Sequence, residues 1–409
     1  MKKSVLQRYA RLIARKGVNV QKGQEVMILA DLDQPDFVRM TVEECYRAGA
    51  SKVTVEWNFQ PLAKLHYRYR SVRTLSKMEK WEIEKLAHRA EKLPAMIYID
   101  SADPDGLRGI NQEKVAKAQK ATYPIIKPYR DKMENKYQWC IAAVPGEKWA
   151  KKVFPNLRVS AAMEKLWETI LYTSRADGDD PLLAWDKHNL DLRKRCKYLN
   201  DLGIEELHYT SANGTDFRVG LIPDALFLGG SEYTLGSNVE FNPNIPSEEV
   251  FTSPMKGKAE GKVVSTRPLS FRGELIENFS ITFHEGKAVE VSAEKNEELL
   301  RTMISMDDAA AYLGECALVP YDSPIQNSGV TFCNTLFDEN ACCHLALGSG
   351  FENCIKDYDK YTLEECREKG INDSIIHVDF MIGAEDLSID AITRDGKTVP
   401  IFRDGNWAF

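Results

Sequence analysis

The 409-residue chain has no apolar run near the ~18 residues that a membrane-spanning helix needs. Its basic start, MKKSVLQRYARLIARKG, is interrupted by Arg8, Arg11, Arg15 and Lys16. That leaves no apolar segment of the secretion-signal kind, and the stretch reads as an amphipathic helix. There is no GxGxxG or GxxxxGK[ST], so dinucleotide and P-loop phosphate binding lack support. HExxH and GxSxG are also missing, and only four of the seven histidines lie in residues 201–409. None of the nine cysteines forms a CxxC pair, and Cys342 and Cys343 are adjacent, which disfavours an ordinary disulfide between them. They read as reduced, buried small side chains, which places the protein in the cytoplasm.

What is present is divided unevenly. Residues 1–200 hold 38 of the 54 basic side chains and 25 of the 61 acidic ones, a net of +13, whereas residues 201–409 carry −20. The basic half contains HYRYRSVR (66–73), but its Lys and Arg alternate with Glu along helical patterns such as KMEKWEIEKLAHRAEKL (77–93). Such alternation marks a solvated helix face, and nucleic acid is not expected as a partner. The acidic half has no Lys or Arg from Val219 to Met255, from Thr302 to Ile355, or from Gly370 to Thr393. Carboxylates buried together there must protonate, find distant bases or bind cations.

The hydrophobic pattern predicts two domains of different class. In the first, EVMILAD (25–31), SKVTVEW (51–57), PAMIYID (94–100) and YQWCIAAV (137–144) read as strands. Helices are expected over 36–47, across 61–92, near 112–121 and over most of 156–199. Strand–helix–strand units predict an open α/β domain with a mostly parallel sheet over 1–200. From about 204 the pattern changes to short strands punctuated by Gly and Asn, interrupted by a helix at 297–306. Residues 201–409 are therefore expected to form a mixed domain rich in antiparallel β, with the boundary at 199–203.

Four places in the acidic half could do chemistry. FNPNIPSEEVFTSP (241–254) holds Glu248 and Glu249; YLGECALVP (312–320) places Glu315 after Gly314, at a strand edge or turn. FDENACCHLALG (337–348) puts Asp338, Glu339 and Asn340 just before His344, and IIHVDFMIG (375–383) has His377 and Asp379 two apart. On a strand, residues i and i+2 share a face, so His377 and Asp379 project together. A simple His–Asp hydrogen bond also explains that pair. Taken together, Glu249, Glu315, Glu339 and Asp379 bring four negative charges and His344 and His377 two nitrogen donors. Two divalent ions would neutralise the set, and Zn²⁺, Co²⁺, Mn²⁺ or Mg²⁺ suit such ligands. A pair of ions roughly 3.5–4 Å apart can activate a bridging water and polarise a carbonyl or a phosphoryl oxygen.

The ordered words NGTD, FNPNIPSEEVFTSP, LGECALVP, FDENACCHLALG and HVDFMIG resemble the thermophilic-type metallo-aminopeptidases known as aminopeptidase T, aminopeptidase S or leucyl aminopeptidase II. The N-terminal VxxGQEVMI (20–28) also fits. The resemblance implies that Glu249, Glu339, His344, His377 and Asp379 are metal ligands and that Glu315 bridges two ions. It implies release of the N-terminal residue from short peptides by a metal-bridging hydroxide, in a homodimer whose subunits enclose the sites, with Glu248 as a candidate proton carrier. The family usually has Tyr seven residues after the His of HLALG; here that position is Phe351, with Tyr358 and Tyr361 as nearby candidates for the missing donor. Two other readings follow from the residues: a catalytically weakened, metal-stabilised peptide-binding dimer, and a two-metal phosphoesterase, which the scarcity of nearby Lys and Arg disfavours.

Overall fold

A computed structural model describes residues 1–409, and its contacts divide the chain into two compact units. The first is Met1–Asn189 with Gly230–Ser247; the second is Leu190–Gly229 with Glu248–Phe409. The division falls inside helix Pro181–Leu202, and strand Ile204–Thr210 begins where that helix ends. Segment 230–247 rejoins the first unit, an excursion that no composition shift announces.

The first unit is built on a five-stranded parallel sheet in the order Lys52–Asn58, Glu25–Asp31, Ala95–Asp100, Trp139–Ala143, Asn244–Ile245. Its central strands are continuous apolar runs because both faces are covered: Val26, Met27, Ile28 and Ala30 are buried, as are Ala95, Met96, Ile97 and Ile99. Helix Pro35–Ala48 begins at a proline and ends at Gly49, whose φ of 113° no L side chain adopts without strain. Two expectations differ from what is found. The helix near 112–121 runs from Gln112 to Met133, through Pro124 and Pro128. Lys120 and Pro124, whose carbonyls the two prolines leave without an N–H partner, are both exposed, so water can take those carbonyls. Stretch 61–92 breaks into Gln60–Tyr69, Val72–Leu75 and Lys80–Lys92, because Ser71 caps the second helix and Glu79 and Glu82 form a capping box on the third.

The second unit is rich in antiparallel strands, as its alternating pattern predicts. Nine strands make one sheet, from Leu269–Phe271 at one end of the pairing path to Asn406–Trp407 at the other. A four-stranded sheet pairs Val250–Thr252, Leu313–Leu318, His344–Gly348 and His377–Met381 in that order, every neighbour antiparallel. Its outermost strand carries the HVDF sequence; an inner one carries Glu315. All nine cysteines are free and eight are buried, Cys333 being half-buried. No helix is long and apolar enough to cross a membrane.

Asp31 ends a central strand of the first sheet and is buried. Asn58 Nδ2 donates to its Oδ1 at 2.6 Å and the Ser101 N–H to its Oδ2 at 3.0 Å. Burial, and then the charges of Asp100 and Asp33, raise its pKa to about 6. The folded protein thus holds this proton more tightly than the unfolded chain does. The resulting stability is complete at low pH and is lost as pH rises through about 6. Chemical denaturation across about pH 4 to 7 should show the wild type losing up to about 3 kcal/mol relative to Asp31→Asn. A difference between the two proteins that does not change with pH would contradict this.

Candidate metal centre

The register of the four-stranded sheet selects which side chains share a face. Glu315 pairs with Ala346, which pairs with Asp379; in the next rows Ala317 pairs with His344, and Gly348 with His377. Phe251 pairs with Ala317, so Glu249, two residues earlier on an extended chain, lies on the same side. One face therefore carries Glu249, Glu315, His344, His377 and Asp379 over the small residues Ala317, Ala346 and Gly348. The other face, with Val250, Cys316, Leu318, Leu345, Leu347 and Phe380, is buried core. Alternation alone explains how a polar cluster and an apolar core occupy the same twenty or so residues.

Glu315 differs from its expected setting. It lies within an inner strand rather than at an edge or turn, immediately after a register shift between Leu313 and Glu315. Gly314 sits in that irregularity, where a Cβ would overlap the carbonyl oxygens of Ser349 and Gly348. The bulge re-aims the side chain that follows it, and only glycine lets the backbones come this close.

The side chains converge. Ligand atoms of Glu249, Glu315 and His344 lie within 4.8 Å of one another, as do those of Glu315, His377 and Asp379. Glu315 belongs to both groups, which makes it the shared member between two possible cation positions. His344 Nε2 is 3.3 Å from Glu249 Oε2; His377 Nε2 is 3.1 Å from Glu315 Oε2 and 3.3 Å from Asp379 Oδ1. His377 Nδ1 is 2.7 Å from the Ser349 carbonyl oxygen. A carbonyl can only accept, so Nδ1 carries a proton, and Nε2 is the nitrogen that faces the carboxylates. Glu339 is buried in the turn Glu339–Ala341, outside both of these groups, with Asp379 the charge that acts on it most strongly.

The electrostatics are those of a site made for positive charge. Burial raises the Glu315 pKa, and the charges of Glu249 and Asp379 add to the rise. Burial likewise lifts Glu339 well above the usual range, helped by Asp379, Glu249 and Glu315. Burial pushes His344 down, yet its hydrogen bond to Glu249 and the surrounding carboxylates outweigh that and raise it to about 9. His377 is raised well above its ordinary value against the same burial penalty, chiefly by Asp379 and Glu315. Asp379 is held below its ordinary range because His377 offsets its burial. The buried Nδ1 of His344 has no hydrogen-bond partner, and Oδ1 of Asp379 has only the 3.3 Å ion pair with His377. Four carboxylates, two imidazoles and unspent buried donor atoms fit divalent cations, with no thiolate needed.

A family model described as thermophilic metalloprotease (M29) matches residues 2–407. The chain belongs to this M29 family. It is 42% identical over 405 residues to aminopeptidase AmpS of Bacillus subtilis, covering 99% of this chain and 98% of that one. Aminopeptidase T of Thermus thermophilus is 40% identical over 403 residues, again 98% of each chain. The solved structure of wild-type AmpT from Thermus thermophilus superposes with a TM-score of 0.89 at 38% identity, covering 100% of both chains.

In this M29 chain the remaining candidates take different places. Glu248 is buried beside Glu249, and its backbone N–H donates to Asn340 Oδ1 at 2.7 Å. The Phe351 ring lies 5.0 Å from the His377 ring and 5.5 Å from that of Phe251. Its N–H donates to Ser253 Oγ at 2.8 Å. Tyr358 and Tyr361 pack instead against Ile222, Ile355, Cys366 and Ile371, a cluster separate from that of Phe351. Both tyrosines lie downstream of a turn that directs the chain into that second apolar cluster. Sequence reasoning assigned no role to Ser349, Ser253 or Asn340, because the contacts that give them one include a hydrogen bond to a residue distant in sequence: His377, Phe351 and Glu248 respectively. Gly314→Ala should lower stability by roughly 2–4 kcal/mol and abolish metal-dependent activity, as read by thermal unfolding and hydrolysis. Wild-type behaviour on both measures would show that the bulge does not set Glu315.

Proposed function

We propose that this chain is a metal-dependent aminopeptidase that hydrolyses the first peptide bond of short peptides, with two divalent ions held by Glu249, Glu315, Glu339, His344, His377 and Asp379. The observation that carries the reading is the two overlapping ligand groups that share Glu315. Bound divalent cations supply Lewis acidity for the scissile carbonyl and lower the pKa of water toward neutrality. Zinc, cobalt, manganese and magnesium all suit the ligand set.

The residues divide the remaining work. Ser349 holds the His377 imidazole so that Nε2 faces the carboxylates. Carboxylate charge left over from cation binding would attract the substrate's α-ammonium group, which favours a free N-terminus over an internal bond. Glu248, buried next to Glu249, is our assignment for carrying the proton to the leaving amine. Phe351 forms an apolar wall beside His377 and has no hydroxyl to offer a developing oxyanion. The nine free cysteines support a reducing compartment, the cytoplasm. The family resemblance supports a homodimer. Phe351 is also what favours a second reading, a peptide-binding member with weakened catalysis.

Protein loaded with Co²⁺, Zn²⁺ or Mn²⁺ should release p-nitroaniline from aminoacyl-p-nitroanilides and lose that activity to a chelator. Glu315→Gln should reduce turnover by at least ~10³ while leaving the fold intact by circular dichroism. Metal uptake without hydrolysis across a broad aminoacyl panel would favour the binding reading. Phe351→Tyr should raise kcat, since one oxyanion donor is worth about 10²–10³ in rate. An unchanged kcat would show that no donor is missing at this position.

A further inference from the structure

Asn340 is fully buried and spends both ends of its carboxamide on the candidate site. Oδ1 accepts the Glu248 N–H at 2.7 Å, across 92 positions of sequence. Nδ2 donates to the Leu336 carbonyl at 3.0 Å and to Glu339 Oε1 at 3.3 Å. One side chain thereby ties the backbone that presents Glu249 to the carboxylate of Glu339. The turn it sits on is anchored separately: the Asp338 carboxylate accepts the Phe332 N–H at 2.9 Å and the Asn334 N–H at 3.0 Å, with Arg267 Nη1 3.7 Å away.

We infer that Asn340 is a positioning residue that fixes Glu249 and Glu339 relative to one another and so sets the affinity and geometry of the metal site; this rests on the reading of the cluster as a divalent-metal centre. Few side chains can do it. The position needs an acceptor for Glu248 N–H and donors for Glu339 and Leu336, and only a carboxamide offers both within this volume. Asp keeps the acceptor and the shape but loses the donors and sets a further carboxylate against Glu339. Gln adds a methylene to a fully buried site. The second N–H is what carries the role beyond packing: bonded to Glu339 Oε1, it restrains how that carboxylate can turn toward a cation. Hydrogen-bond partners of metal-ligating side chains typically change metal affinity by 10–100-fold when removed.

The test is a titration of metal-free protein with Co²⁺, followed by visible absorption and calorimetry, for the wild type and Asn340→Asp. Thermal unfolding of the metal-free forms confirms that the variant folds. The expected result is a 10–100-fold weaker Co²⁺ affinity and an altered visible spectrum, because ligand geometry changes and not only stability. Should Asn340→Asp fail to fold, Asn340→Ser enters the same titration: it is neutral, and its hydroxyl is too short to span Glu248 and Glu339. A folded variant with wild-type affinity and spectrum overturns the inference while leaving the metal reading standing. A wild type that takes up no Co²⁺ overturns the metal reading and this inference with it.

Discussion

Four carboxylates buried on or beside one face of a small antiparallel sheet repel one another, and water is not there to screen them. The ion pairs of Glu249, Glu315 and Asp379 are made with His344 and His377 rather than with lysine or arginine. Two imidazoles can carry at most two positive charges, and only by taking up protons, which is why His344 and His377 are held so far above their ordinary values. Cations remove the conflict without protons. The surrounding structure serves this one requirement: Gly314 re-aims Glu315, Ser349 orients His377, and the alanines and glycine beneath the cluster leave it room.

Burying a charged cluster costs stability that the rest of the unit must supply. The opposite face of the same sheet is therefore apolar apart from Thr252, and the same unit holds a nine-stranded antiparallel sheet. This division of labour within one strand depends on the period of two: a shift of one residue would put Cys316 in place of Glu315 or Phe380 in place of Asp379. The first unit follows different rules. Its central parallel strands are apolar on both faces, and its buried carboxyls are satisfied by nearby side chains and backbone, Asp31 by Asn58 and Ser101 and Glu44 by Gln7 and Arg47.

Much of this was legible in the sequence, for identifiable reasons. The absence of Lys and Arg from three long stretches marked where carboxylates would lack ordinary partners, and the HxD spacing put His377 and Asp379 on one face. Parallel strands in the first unit followed from apolar runs separated by helical patterns. What was hidden depends on contacts between distant positions. An inner-strand bulge at Glu315 is visible only once Gly314 meets Ser349 and Gly348. The role of Asn340 rests on a backbone N–H at Glu248, which no local pattern encodes. The helix through Pro124 and Pro128 persists because the positions that lose a partner, Lys120 and Pro124, are exposed to water, a property of their surroundings rather than of the residues. The Tyr residues after Phe351 looked suitably close in sequence, but the chain folds them into another apolar cluster.

The most direct test of the central claim is anomalous diffraction at the zinc edge from crystals grown with zinc. Two peaks per chain roughly 3.5–4 Å apart are expected, one against Glu249 and His344, the other against His377 and Asp379, with Glu315 touching both. A single peak, or zinc bound elsewhere while these six side chains stay paired only with one another, would contradict the account.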